Sequence, residues 1–206
     1  MFNVILEEIK RMKAIADIGL LYSKNPYDEE RYRELQQIAF RLLEHLTNNP
    51  TTQLKASMPT PQDYPTAKVD VRGLLLRPDQ KILLVRESAD GKWSLPGGWA
   101  DIGLSPKEVI IKEFKEETGL DVIPTRLLAV FDKRKHHHPP QPFYVYKFVF
   151  LCEAKSSVIY KGFDVLDVDY FDPEDLPSLS EDRILKSQIS MLIKEIIPNP
   201  LATYVD

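Results

Sequence analysis

Residues 97–120 read GGWADIGLSPKEVIIKEFKEETGL, and both the fold and the chemistry of the chain turn on how that run is punctuated. Ser105 is an N-cap residue, Pro106 suits the first helical position, and Glu108 completes an S-x-x-E capping box. Gly119 supplies a left-handed residue that ends a helix. At ~100° per residue, Glu113, Glu116 and Glu117 fall within about a third of the circumference of that helix. Ile110, Ile111, Phe114 and Thr118 take the neighbouring sector, so the helix is half core and half carboxylate. Lys112 and Lys115 lie outside the acidic arc by the same count, which leaves three like charges on one turn without relief. A hard divalent cation with oxygen ligands relieves them. Acids alone would read as a solvated helix face. The loop Pro96-Gly97-Gly98 and the two caps turn the reading towards a metal.

The same run resembles the Nudix box, G-x5-E-x7-R-E-U-x-E-E-x-G-U with U aliphatic. Gly98, Glu113, Phe114, Glu116, Glu117, Gly119 and Leu120 fall in register without a gap, with Phe114 aromatic where an aliphatic is usual. Two charged positions depart, Leu104 for the family's Glu and Lys112 for its Arg. In the family those two pair and brace the loop against the helix, so their joint replacement removes a brace without leaving an orphan charge. The resemblance implies an α/β fold, a Nudix-type α/β/α sandwich with a mixed sheet. It also implies hydrolysis of a nucleoside diphosphate linked to a further moiety, X. By position, Gly98 (through its carbonyl), Glu113, Glu116 and Glu117 would be metal ligands, for Mg²⁺ with Mn²⁺ as the alternative. One of these glutamates, Glu113 or Glu117, or an acid outside the box, would take the proton from the attacking water.

Composition agrees with a cytoplasmic enzyme. The chain has 206 residues and a formal net charge of −4, which offers nothing general to nucleic acid or anionic lipid. A single cysteine, Cys152, lies in an apolar run and reads as a buried small hydrophobe; one cysteine permits no internal disulfide. Charges at Glu7, Glu8, Lys10, Arg11, Lys13 and Asp17 break any signal-peptide or membrane reading of the N-terminus.

Three segments follow from periodicity. Residues 1–50 form a helical hairpin, with Ile5, Ile9, Met12, Ile15 and Ile18 as one stripe and Tyr32, Leu35, Ala39, Leu42 and Leu46 as the other. Asp28 is the expected N-cap of the second helix. The two stripes need a partner surface, and an isologous homodimer through these helices is the expectation. Residues 51–67, with Pro59, Pro61 and Pro65, read as a linker. Residues 68–206 form the catalytic domain, with strands at 68–76, 81–86, 122–132, 143–153 and 166–171 and a last helix over 181–197.

Beyond the box, Asp164 in the Gly-containing loop Lys161-Gly162-Phe163-Asp164 is the candidate catalytic acid; Asp132 and Glu153, at strand ends, are weaker. Arg72 and Arg86, on strands leading to the box, are candidate phosphate contacts. Lys133, Arg134, His136, His137 and His138 form a basic, ring-bearing loop that could hold phosphate and cover a base. The hairpin-plus-box layout resembles bacterial CDP-choline and ADP-ribose pyrophosphatases. Trp93, Trp99, Phe143, Tyr144 and Tyr146 could hold a quaternary ammonium, which ranks CDP-choline, giving CMP and phosphocholine, ahead of ADP-ribose. Readings of other classes are an RNA-end-processing enzyme, disfavoured by the acidic composition, and a non-catalytic nucleotide-binding regulator.

Overall fold

The helical apolar period near the N-terminus and the strand texture beyond Lys68 resolve into two separate units in a computed structural model, which describes residues 2–47 and 49–206. One unit contains the chain up to Ala67 with Pro140–Phe143; the other contains Lys68–Pro139 and Tyr144–Asp206.

In the first unit, α1 (Phe2–Tyr22) and α2 (Pro26–Thr47) are followed by α3 (Thr51–Ser57). The segment expected to be linker therefore begins as a helix. Glu44 explains it by accepting from both the Thr51 N–H (3.1 Å) and the Thr51 hydroxyl (2.6 Å), and Leu54 enters the core of Leu6, Ile9, Ala39, Phe40 and Leu43. The cap of α2 is Asn25, whose Oδ1 accepts from Tyr27 N–H at 2.9 Å. Asp28 sits instead in the first turn, paired with Arg31. The buried stripe is also rotated from the expected phase: Leu6, Phe40 and Leu43 are buried, whereas Ile5 (45 %), Ile15 (47 %) and Leu42 (43 %) stay exposed. Part of the buried space is polar, since Lys13 donates to Asp17 (2.8 Å) and Gln36 donates to Asp17 (2.6 Å) and Thr60 (3.2 Å).

The second unit is the α/β/α sandwich. Its strands are β1 (Lys68–Leu75), β2 (Ile82–Glu87), β3 (Trp93–Ser94), β4 (Gly97–Trp99), β5 (Val122–Asp132), β6 (Val145–Ala154), β7 (Val165–Phe171) and β8 (Tyr204–Val205). A mixed five-stranded sheet runs β4-β1-β6-β5-β8, and a three-stranded antiparallel sheet runs β3-β2-β7. Strands buried on both faces are apolar at successive positions. On β2, Leu83 and Val85 join the core beneath α4 (Pro106–Thr118), while Ile82 and Leu84 face the core under the C-terminal helix. That helix is shorter than expected: α5 spans Lys186–Met191 and continues as a π turn over Leu192–Ile196. On α4, Val109, Ile110, Phe114 and Thr118 are buried and Ile111 is exposed. Cys152 is buried. Among the described residues, no helix is long and apolar enough to cross a membrane.

Candidate active site

The box helix is fixed at both ends by its own sequence. Ser105 Oγ accepts from Glu108 N–H, the Glu108 carboxylate accepts from Ser105 N–H at 2.7 Å, and Gly119 ends the helix with φ 74°. In front of it, β4 pairs with β1, placing Gly97 opposite Arg72 and Gly98 opposite Val71. Both glycines are required by close approach. A Cβ on Gly97, whose φ is 136°, would lie 2.1 Å from Val71 O, and one on Gly98 would lie 2.6 Å from Glu113 Oε1.

These contacts bring the Gly97-Gly98 backbone against two of the three box acids. Glu117 is buried and its Oε2 accepts from Gly97 N–H at 2.9 Å. Burial pushes its pKa up to about 8, with the charges of Glu87 and Glu113 adding to the effect and Arg72 opposing it. Glu113 is raised for the same first reason, opposed by Lys112 and Arg72 and reinforced by Glu116 and Asp164. The Glu113 and Glu117 carboxylates beside the Gly97-Gly98 backbone make a donor set of hard oxygen. The residues present therefore fit a hard divalent cation, of the kind usually bound through one or two carboxylates and completed by water and substrate phosphate. Among the described residues no cluster of three or more His, Cys, Asp or Glu side chains is gathered to hold a metal.

Glu116 stands apart. It is exposed and pairs with Lys112 at 3.2 Å, and Lys112 also donates to Asp101 at 3.2 Å. The expectation that Lys112 lies out of reach of the acids is thus corrected, because the long lysine stem spans one helical turn to Glu116. The loop also keeps a brace, since Asp101 takes the part expected of the residue at Leu104.

The remaining sequence candidates are dispersed. Asp164 is exposed, and its charge is the last of the influences that raise Glu113. Arg72 is buried, not a free phosphate contact. Its Nε donates to Asp70 (2.9 Å), and its Nη1 donates to Leu95 O (3.0 Å), Glu87 (3.4 Å) and Ser94 Oγ (3.4 Å). Arg86 donates to Gly91 O at 2.8 Å and so ties the β2–β3 turn. Lys133 is buried and donates to Asp182 O at 2.7 Å; burial, with Lys147 nearby, lowers its pKa to about 8. Arg134 binds Asp132 and covers the Tyr144 ring. His136 Nε2 lies 2.9 Å from Asp206, and His137 is exposed. His138 Nδ1 lies 2.5 Å from Glu181 O, and burial depresses its pKa to about 4. In the basic loop, Arg134 is thus held locally by Asp132, and Lys133, His136 and His138 are held by groups from other segments. Asp132 is engaged with Arg134, and Glu153 is exposed.

A buried polar network lies beyond what the sequence reading finds. Lys147, wholly buried, donates to Asp70 from the directly opposite rung of β6. Glu87 accepts from Ser94 Oγ (2.6 Å) and pairs with Arg183 (2.9 Å). Its residues are scattered over four elements, and only alternation against apolar neighbours could have flagged Asp70 and Lys147. A second such feature is the contact of residues 160–162 with the end of α4: Tyr160 N–H donates to Thr118 O at 3.1 Å and Gly162 N–H to Glu117 O at 2.9 Å.

Comparison with known proteins follows the same division. A NUDIX-domain model matches residues 66–192, and a model described as a UDP-X-like N-terminal oligomerisation domain matches residues 3–58. The Bacillus subtilis (strain 168) protein YjhB, named provisionally as an ADP-ribose pyrophosphatase, is 44% identical over 187 residues, 91% of this chain and 89% of that protein. The ADP-ribose pyrophosphatase of Methanocaldococcus jannaschii is 31% identical over 58% of this chain and 69% of its own length. A crystal structure of a UDP-X diphosphatase aligns over 100% of this chain and 99% of that one, with 35% identity and a TM-score of 0.65. The crystal structure of an ADP-ribose pyrophosphatase from Streptococcus suis 89-1591 covers 68% of this chain and 100% of that one, with 35% identity and a TM-score of 0.61.

Proposed function

The chain belongs to the Nudix hydrolases, and on that footing we propose that it splits the diphosphate of a nucleoside diphosphate-X substrate into a nucleoside monophosphate and X-phosphate. The observation that carries this reading is the pair Glu113 and Glu117, desolvated together against the Gly97-Gly98 backbone. Glu113, Glu117 and the Gly98 carbonyl would hold the divalent cation, with Glu116, already paired with Lys112, serving at most a further ion. When bound, such a cation neutralises phosphoanhydride charge and lowers the pKa of a water. Arg72 balances Glu117 from behind, and the Asp70 and Glu87 carboxylates hold its guanidinium in place. Asp164, exposed and two residues beyond the bond from Gly162 to Glu117, would take the proton from the attacking water.

For X, the reading moves to ADP-ribose ahead of CDP-choline. Three of the rings offered for a choline cage have other neighbours: Trp93 packs edge-on against Phe171, Lys68 covers Trp99, and Arg134 covers Tyr144. Three of the four relatives named above, the ADP-ribose pyrophosphatases, support that order; the fourth, a UDP-X diphosphatase, makes a UDP-linked compound the further candidate. The pairing of Lys133, Arg134 and His136 with acids and carbonyls also counts against an RNA-end role, which needs unpaired cations along the strand. The N-terminal hairpin would carry a homodimer, supported by the exposed Ile5 and Ile15.

The test is hydrolysis of ADP-ribose, CDP-choline and a UDP-sugar at equal concentration with Mg²⁺, for wild type, Glu113→Gln and Glu117→Gln. Both variants are expected to lose orders of magnitude in kcat while staying folded, and full activity in either, or in excess chelator, refutes the metal assignment. A tenfold advantage of CDP-choline in kcat/KM, about 1.4 kcal/mol of transition-state preference, reverses the substrate order.

A further inference from the structure

An α-helix leaves its last carbonyls without partners inside the helix, and α4 obtains two of them from more than forty residues downstream. Lys115 O accepts from Gly119 N–H at 3.1 Å, within the local cap. Thr118 O and Glu117 O accept instead from Tyr160 and Gly162. The approach at Gly162 is close enough to exclude a side chain: a Cβ there would lie 1.8 Å from Glu116 O and 3.1 Å from Glu117 Cα. Tyr160 lies equally tight on the helix end, its ring atoms 2.2–2.5 Å from where a Cβ on Gly119 would stand. The segment thus runs back along the last turn of the helix, from Thr118 past Glu117 towards Glu113.

Asp164 follows two residues on, and consecutive Cα atoms are ~3.8 Å apart, so its reach is set by where Gly162 rests. Between them Phe163 is 94 % exposed and packs on nothing that could hold the segment. On the far side Val165 is buried at the start of β7. Asp164 is therefore suspended between two anchors, one a missing side chain and the other a core residue. Gly162 on the Glu116–Glu117 backbone and Val165 in the core with Ile110 and Phe114 confine Asp164 to the last turns of α4, which carry Glu113.

We propose that Gly162 is a positioning residue for hydrolysis, whose lack of a side chain lets residues 160–162 lie on the backbone of Glu116 and Glu117 and so sets Asp164 beside Glu113. The inference rests on the role given to Asp164 above. Gly162 touches neither substrate nor cation; it acts by setting the height of the segment above the helix. The same contact completes the turn that carries the box acids, so the acid outside the box and the acids within it share one support.

The test is a double-mutant cycle on the full-length enzyme with Mg²⁺ and ADP-ribose, read as kcat and KM with thermal unfolding as the control for folding. Gly162→Ala is expected to lower kcat tenfold or more with KM changed less than threefold. Combined with Asp164→Asn it is expected to be no slower than Asp164→Asn alone, because residues acting through one group are not additive. Tyr160→Ala loosens the same segment without overlap, and carries the same cycle should Gly162→Ala fail to fold. Losses that multiply in the double variant, or wild-type kcat in Gly162→Ala beside a slow Asp164→Asn, overturn this inference alone. Wild-type kcat in Asp164→Asn overturns the role of Asp164 and the inference with it.

Discussion

Glu117→Gln separates the cost of the buried carboxylate from its use. The folded pKa of Glu117 is about 8 against an ordinary value of 4.5. The folded protein thus binds one more proton than the unfolded chain between those pH values, and stability falls with pH across that window. Stabilisation is fully present below pH 4.5 and is lost as pH rises through about 8. The gap corresponds to on the order of 5 kcal/mol between the two protonation states, net of the Gly97 N–H bond that favours the charged form. Gln has nearly the same shape and cannot ionise. In chelator, wild type and Glu117→Gln are expected to unfold at similar temperatures near pH 5 and to diverge by roughly 10 °C by pH 9, at a few degrees per kcal/mol for a chain of this size. Millimolar Mg²⁺ is expected to close that difference by stabilising wild type and leaving the variant unmoved. Parallel curves from pH 5 to 9 in chelator would refute the reasoning, since they would mean that the Glu117 charge is already compensated by protein groups.

Lys112→Ala removes the link between Asp101 and Glu116. Exposed pairs are worth about 1 kcal/mol or less, so little change in melting temperature is expected, whereas KM should rise severalfold as the box loop loosens; an unchanged KM would show that Lys112 braces nothing. Ile5→Asp with Ile15→Asp places charge on the exposed face of α1 and should leave a 23.8 kDa monomer by light scattering where wild type gives twice that mass; a monomeric wild type at micromolar concentration contradicts the dimer. Cys152, buried and with its thiol pushed up to about 12 by desolvation, should not react with a disulfide reagent at pH 8 until the protein unfolds, and rapid native labelling would contradict its burial.

Short-range grammar makes α4 legible from its residues alone. Ser105, Pro106, Glu108 and Gly119 act within four residues of their partners, so the sequence carries the whole of that argument. Strand β5 keeps its expected bounds, residues 122–132, although Pro124, Thr125 and Arg126 interrupt its apolar texture. The stripe on α1 is not legible in this way, because periodicity finds that a helix has a buried face but tertiary packing chooses its phase, and Leu6 displaces Ile5. The basic loop misleads for the same physical reason. Lys133, Arg134 and His136 look free in sequence, yet two of their acids, Asp182 and Asp206, stand about fifty and seventy residues away. The support at Gly162 is invisible in sequence because the atoms it must avoid belong to a helix more than forty residues earlier.

Strands β1 and β6 lie side by side in parallel, and no tight turn joins them to fix their alignment. Asp70 and Lys147 are direct partners in that pairing, so they supply the alignment that a hairpin would otherwise give. A slip of β6 by one residue would turn Lys147 to the opposite face, among Val71, Phe150 and Val122, and stranding one member of a buried pair costs roughly 3–5 kcal/mol. The pair therefore sets the frame of the sheet: mismatched alignments carry a penalty comparable to much of the stability of a domain.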